Sequence, residues 1–242
     1  MKHLRPAPPA DLLRLPAERL RDVARQPAPL VCIARAIAAL IMRALLRVYC
    51  RFEIVGEEHL RSNRSFVLVA NHSSHLDTVC LLSALPLRRL HHAFPAAAAD
   101  YFFKNGRRTW FATVFMNALP FARQAHARHS LAACAQLLER AGNVLIIFPE
   151  GTRSASGQLQ DFKCGIGALL AGRDINALPC FIDGASRAWP KGRRIPRPRK
   201  VRLIIGQPRN FGGRPADKAV AATVAAELHH VISDLAQQHG AR

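Results

Sequence analysis

The chain has 242 residues, half of them hydrophobic and 21% charged, which fits one folded domain of ordinary size and excludes wholesale disorder. Thirty-five Lys and Arg against sixteen Asp and Glu give a formal charge of +19, a field that attracts nucleic acid, anionic lipid, acidic carriers or phosphorylated substrates, with genomic bias toward arginine as the alternative source of part of it. The six cysteines (Cys32, Cys50, Cys80, Cys134, Cys164 and Cys180) show no CxxC pair or Cys/His ligand spacing, which argues against a zinc site and for reduced thiols used as small buried hydrophobes.

Residues 1–29 are rich in Pro and Arg and carry Asp11, Glu18 and Asp22 before any apolar run, so they read as an N-terminal extension and not as a secretory signal. Residues 30–49 are apolar but for Arg35, Arg43 and Arg47. At 100° per residue these arginines fall within roughly a 120° arc, leaving the rest of a helix to aliphatic side chains. A spanning helix needs about 20 largely uncharged residues, and a central arginine costs about 2.5–3.5 kcal/mol to insert. The pattern predicts an amphipathic membrane-associating helix lying in the membrane plane, arginines at the phosphate level. A helix simply packed on the domain fits the pattern equally well.

Residues 50–242 make up the main domain. Arg51–Val55 alternates like a short strand closed by Gly56, and Ser65–Ala70 is an uninterrupted apolar run of strand length. A helix is predicted to begin near Asp77, another spans Ser130–Ala141 with Leu131, Cys134 and Leu138 on one face, and Gly142 stops it. Val144–Phe148 reads as a second buried strand, Gly165–Ala171 as a short helix, and Leu178–Ile182 and Val201–Ile205 as further strands. The last segment, Ala216–Gln238, sets Val220, Val224, Leu228, Val231 and Leu235 at helical spacing. Strands alternating with helices predict an α/β fold, a mixed β-sheet flanked by helices. Two stretches break the rhythm. Residues 91–119 gather aromatics around Lys104–Arg108 and suit an acyl pocket, a bilayer contact or core. Arg187–Arg209 holds nine Lys and Arg among prolines and reads as a basic surface loop followed by an edge strand, facing anionic lipid, a carrier or solvent.

Chemistry concentrates at the ends of the two buried strands. After the first comes Asn71-His72-Ser73-Ser74-His75-Leu76-Asp77. Positions five apart on a regular helix sit about 140° apart and share no face. At a strand-to-helix turn, however, the aspartate can fold back and accept a hydrogen bond from His72 Nδ1, leaving Nε2 as a base. This is two-thirds of a serine-protease triad with no serine in place, so the nucleophile can be a substrate hydroxyl. After the second strand comes Phe148-Pro149-Glu150-Gly151-Thr152-Arg153-Ser154. Glycine allows a tight turn, arginine can grip a phosphate bidentately, and Thr, Ser and turn N–H groups add donors. Glu150 can orient the arginine or bond a glycerol hydroxyl. His75, two residues before Asp77, is poorly placed to be the base, and Ser73 and Ser74 lack a nucleophile-elbow context.

Together the two segments, about 75 residues apart, closely resemble the glycerophospholipid acyltransferase family in its lysophosphatidate acyltransferase-like group. The resemblance covers roughly residues 50–210. It takes in the Gly56-Glu57-Glu58-His59-Leu60 lead-in, Phe162-Lys163-Cys164-Gly165, and Leu178-Pro179-Cys180-Phe181-Ile182, similar to the family's fourth block. It implies that His72 is the base, Asp77 its partner, and that Glu150, Gly151, Thr152, Arg153 and Ser154 bind the acceptor phosphate. Leu119-Pro120-Phe121-Ala122-Arg123 matches the second block only loosely, with Arg123 at its acceptor-binding position. The expected donor is acyl-CoA or acyl carrier protein and the expected acceptor a lysophospholipid, on an anionic membrane surface. A thioester is already activated, so no metal, cofactor or acyl-enzyme is implied. The missing signal, reduced thiols and thioester supply point to the cytoplasmic face of the inner (cell) membrane, peripheral or monotopic.

Competing readings keep the chemistry on another lysolipid such as a lyso-aminolipid, replace the acceptor by water, or drop catalysis for binding of anionic lipid or nucleic acid. No recognition helix or stacking-aromatic motif of the expected kinds supports nucleic acid, which is not an expected partner.

Overall fold

The computed structural model describes residues 29–98, 117–121, 127–190, 192–193 and 195–239. In chain order the elements are helix α1 (Pro29–Tyr49), strands β1 (Glu53–Val55) and β2 (Phe66–Ala70), helix α2 (Leu76–Ala84), strands β3 (Ala93–Ala98) and β4 (Leu119–Phe121), helix α3 (Ala127–Glu139) and strand β5 (Val144–Ile147). Helix α4 (Gly165–Leu170), strand β6 (Asn176–Asp183), the short helix α5 (Ala185–Ala188), strands β7 (Arg202–Ile205) and β8 (Arg209–Asn210) and helix α6 (Lys218–His239) follow.

The strands form one mixed sheet in the order β1-β7-β6-β2-β5-β3-β4, with β8 also paired to β6. Pairings are parallel except those of β6 with β7 and β8. Strands β2 and β5 pair at its middle, Phe66 opposite Val144 and Val69 opposite Ile147, and every residue of both is buried. Covered on both faces, they need no polar alternation. Their side chains still alternate between two cores. Phe66, Leu68 and Ile146 join Leu46, Cys80 and Leu81 under α1 and α2. Val67, Val69 and Leu145 join Cys134, Ile166, Leu170 and Leu228 under α3, α4 and α6. Gly167 lets α4 reach α6, since a Cβ there would run into the Ala221 carbonyl. The buried stripe of α6 is Ala221, Val224, Ala225, Leu228 and Ile232, with Val231 and Leu235 at its margin. Cys50, Cys80, Cys134 and Cys180 are buried, whereas Cys164 is exposed and Cys32 half-buried.

Two expectations change. β7 is not an edge strand: it lies between β1 and β6, and Leu203, Ile204 and Ile205 are buried. The basic loop before it marks a chain reversal and not the margin of the sheet. Helix α1 turns its arginine side inward, with Arg35 only 8% exposed and Arg43 donating to the Leu85 carbonyl at the end of α2. Arg43 covers an otherwise bare helix end, and only Arg47 of the three arginines is exposed. Ile33, Ile37, Leu40, Ile41, Leu45 and Val48 form the exposed stripe opposite. Of residues 91–119, Ala93–Ala98 is strand β3. Asn117 bonds the His91 and Ala93 carbonyls and Leu119 is core. The rest of that stretch, the residue 1–28 portion of the extension and Arg123 lie outside the described residues.

Candidate active site

The site is built where β2 and β5 end side by side, the place parallel sheets reserve for ligands. Asn71 leaves β2 and its carboxamide brackets Ile182 of β6, accepting the Ile182 N–H at 2.7 Å and donating to the Ile182 carbonyl at 3.1 Å. The chain then turns sharply into α2. Asp77, second residue of that helix and fully buried, folds back: its Oδ2 accepts the Ser73 and Ser74 N–H groups, both at 2.7 Å, and faces His72 Nδ1 at 2.9 Å. A carboxylate is acceptor-only, so the ring proton sits on Nδ1 and Nε2 carries the lone pair. The ring stacks on Phe148, centroids 4.1 Å apart and planes 18° apart, with the His72 side chain 21% exposed.

The second segment holds the main chain of His72. Its N–H donates to Glu150 Oε1 at 2.8 Å and its carbonyl accepts the Ser154 N–H at 2.8 Å. Glu150 is buried, and Oε2 has no partner among the described residues. Burial chiefly, and then the negative charge of Asp77, push the Glu150 carboxyl up to about 7, against the pull of N–H groups from His72 and Gln160. Between them Gly151 adopts φ +76°, and a Cβ there would meet Nζ of Lys163 at 2.7 Å, so the lysine stem lies across the turn. The Lys163 N–H in turn bonds the Pro149 carbonyl at 3.0 Å.

Arg153 donates to Nε2 of His75. That contact needs a neutral ring, and burial, followed by the Arg153 and His72 charges, lowers the His75 pKa. Thr152 is exposed on the turn, while Ser154 is buried with its hydroxyl 3.2 Å from that of Ser156. Of the residues singled out in the sequence, His72, Asp77, Glu150 and Ser154 thus share one hydrogen-bonded network, and Arg153 bonds His75 of the same turn as His72. Three participants have no role that the sequence pattern assigns: Asn71 and Lys163 lie within motif segments, and Trp189, packed 5.5 Å from the His75 ring with its carbonyl accepting from Ser74 Oγ, lies in none.

A base with a fixed tautomer, next to a turn that bears Arg153 and is crossed by Lys163, can take a proton from a hydroxyl held by an anionic group. Known proteins have the same outline. The family model described as Acyltransferase matches residues 51–183, more than half of the chain. The chain is 31% identical over 164 residues to the chloroplastic 1-acyl-sn-glycerol-3-phosphate acyltransferase of Arabidopsis thaliana, covering 66% of this chain and 44% of that protein. It is 24% identical over 190 residues to 1-acyl-sn-glycerol-3-phosphate acyltransferase alpha of Mus musculus, covering 77% and 65%. The chain therefore spans about half to two-thirds of the length of these relatives. The crystal structure of the 1-acyl-sn-glycerophosphate (LPA) acyltransferase from Thermotoga maritima superposes with a TM-score of 0.66 over 93% of this chain and 89% of that one, at 22% identity, which shows a shared fold. With both motifs inside the matched region, this chain belongs to the acyltransferase family, in its lysophosphatidate acyltransferase-like group.

Proposed function

We propose that the chain transfers a fatty acyl group from acyl-CoA or acyl carrier protein to the free hydroxyl of 1-acyl-glycerol-3-phosphate or a similar lysophospholipid. The observation that carries this reading is the His72–Asp77 pair at 2.9 Å, braced by two further N–H bonds to the same carboxylate oxygen. His72 Nε2 removes the hydroxyl proton as the oxygen attacks the thioester carbonyl carbon. The tetrahedral intermediate collapses, the C–S bond breaks, and the imidazolium returns the proton to the departing thiolate. One ester and one free thiol result. Arg153 and Lys163 bind the acceptor phosphate and so place the hydroxyl, an effect worth several kcal/mol of barrier (about 7–11 at its limit). Glu150 and Ser154 act one step back, on the backbone of His72.

The same reading gives residues 50–242 as the acyltransferase domain, 30–49 as its membrane-associating helix and 1–29 as an extension. No helix among the described residues is long and apolar enough to cross a membrane. The exposed stripe of α1 instead suits a helix lying in the interface of the cytoplasmic leaflet, apolar side down. The test is product analysis: the chain is incubated with each labelled donor and with lysophosphatidate, a zwitterionic lysophospholipid or a lyso-aminolipid in vesicles. Labelled phosphatidate supports the reading, a labelled aminolipid alone moves the acceptor, and free fatty acid alone makes the chain a thioesterase.

A further inference from the structure

Beyond Trp189, the loop between α5 and β7 takes no part in this chemistry, yet its described residues are held by several bonds. At its feet Asp183 grips Arg187 at 3.0 Å and Arg202 at 3.2 Å, one before the loop and one after it. Trp189 Nε1 donates to the Arg193 carbonyl at 2.8 Å, and the Arg197 N–H to the Ala188 carbonyl at 2.7 Å. Held at its tip is Ile195, 73% exposed, between the exposed Arg193, Arg197 and Arg199. A single exposed isoleucine is ordinary. This one is not isolated, because the Tyr49 hydroxyl donates to the Pro196 carbonyl at 3.0 Å. That bond ties the loop to the last residue of α1, where Leu45, Val48 and Tyr49 are 54%, 82% and 42% exposed. At the other end of the same loop, Trp189 and Pro190 touch the catalytic turn through Ser74.

We propose that Arg193, Ile195, Arg197 and Arg199 form a second membrane contact. Ile195 enters the headgroup–acyl boundary of an anionic bilayer, and the three arginines sit on lipid phosphates. With α1 as one contact and this finger as another, the protein cannot roll about the helix axis, and the His72 turn stays at the leaflet surface. An acidic carrier protein would also meet the arginines. The bilayer is favoured because the apolar tip is tied, through Pro196 and Tyr49, to the end of a 21-residue helix with an exposed apolar stripe, a length of apolar surface that a carrier has no use for.

The proposal rests on the reading that the acceptor is a membrane lipid, and its test is made on His72→Ala protein so that binding is read apart from turnover. The full chain is sedimented with vesicles of phosphatidylcholine alone and of phosphatidylcholine with phosphatidylglycerol. Ile195→Asp is expected to lower partition about tenfold or more on both. Arg193→Glu/Arg197→Glu/Arg199→Glu is expected to lower it about a hundredfold on the anionic vesicles and little on the neutral ones. All these side chains are exposed, and an unchanged urea midpoint confirms folding. Unchanged partition in both variants overturns the proposal. So does retained vesicle binding with lost binding to acyl carrier protein, which would make the loop the donor's dock.

Discussion

At His72 the ring and the main chain are held by different segments: Asp77 fixes Nδ1, while Glu150 and Ser154 hold the N–H and carbonyl from the next strand over. Asp77→Asn keeps the shape but gives up the charge and sets an amide where three N–H donors converge. Turnover is expected to fall by about 10²–10⁴-fold, measured as initial acyl-transfer rate at saturating acceptor. Glu150 gives a pH prediction. Its folded value of about 7 lies above the ordinary 4.5, so the folded protein keeps a proton that the unfolded chain releases. The stability due to this group is therefore full below 4.5, is lost as pH rises through the window up to about 7, and is constant above it. Glu150→Gln lacks that loss, and its stability relative to wild type should rise across the window by a few kcal/mol at most, at about 1.4 kcal/mol per pH unit. Urea unfolding at pH 5 and pH 8 measures it, and a constant difference between the two proteins contradicts the assignment. The His–Asp pairing was legible because strand end, turn and helix start are local in sequence. The inward aim of Glu150 was not, since a turn glutamate is ordinarily a surface residue, and Trp189 lies 115 positions from Ser74.

Among the elements, β2 and β5 showed most plainly in sequence, because unbroken apolar runs buried on both faces leave little other reading, and β1, β6 and β7 showed as shorter runs. Strand β3 hid because Ala93–Ala98 contains Pro95 and four alanines, poor strand formers that the sheet overrides. The interior place of β7 depends on pairing with β1, about 150 residues away, and no local pattern carries that. Likewise the arginine spacing of α1 showed two faces without showing which one meets the domain. Close approach of α4 to α6 gives the prediction at this scale. Gly167→Ala should cost about 1–3 kcal/mol by overpacking against the Ala221 carbonyl. Gly213→Ala, where an added Cβ meets nothing, should be near neutral. Equal urea midpoints for the two variants would contradict the close packing.

For the molecule as a whole, the proposed membrane role has the formal +19 and the exposed stripe of α1 acting together: charge would draw the protein to an anionic surface, and apolar burial would hold it there. Partition onto anionic vesicles should therefore weaken steadily with added salt, as the Debye length shrinks from about 10 Å at 0.1 M toward 3 Å at 1 M, and level off at a salt-resistant remainder supplied by α1. Sedimentation across that salt range measures it, and complete release at high salt would leave α1 no part in binding. On the proposed function, the sheet, the two cores and the loop serve one arrangement, a histidine base facing lipid at a surface. The most direct measurement is the rate of phosphatidate formation by wild type and by His72→Ala, with folding checked by urea midpoint. The account predicts a loss of about 10²–10⁴-fold in a variant that folds normally. Wild-type turnover that survives the substitution would contradict it.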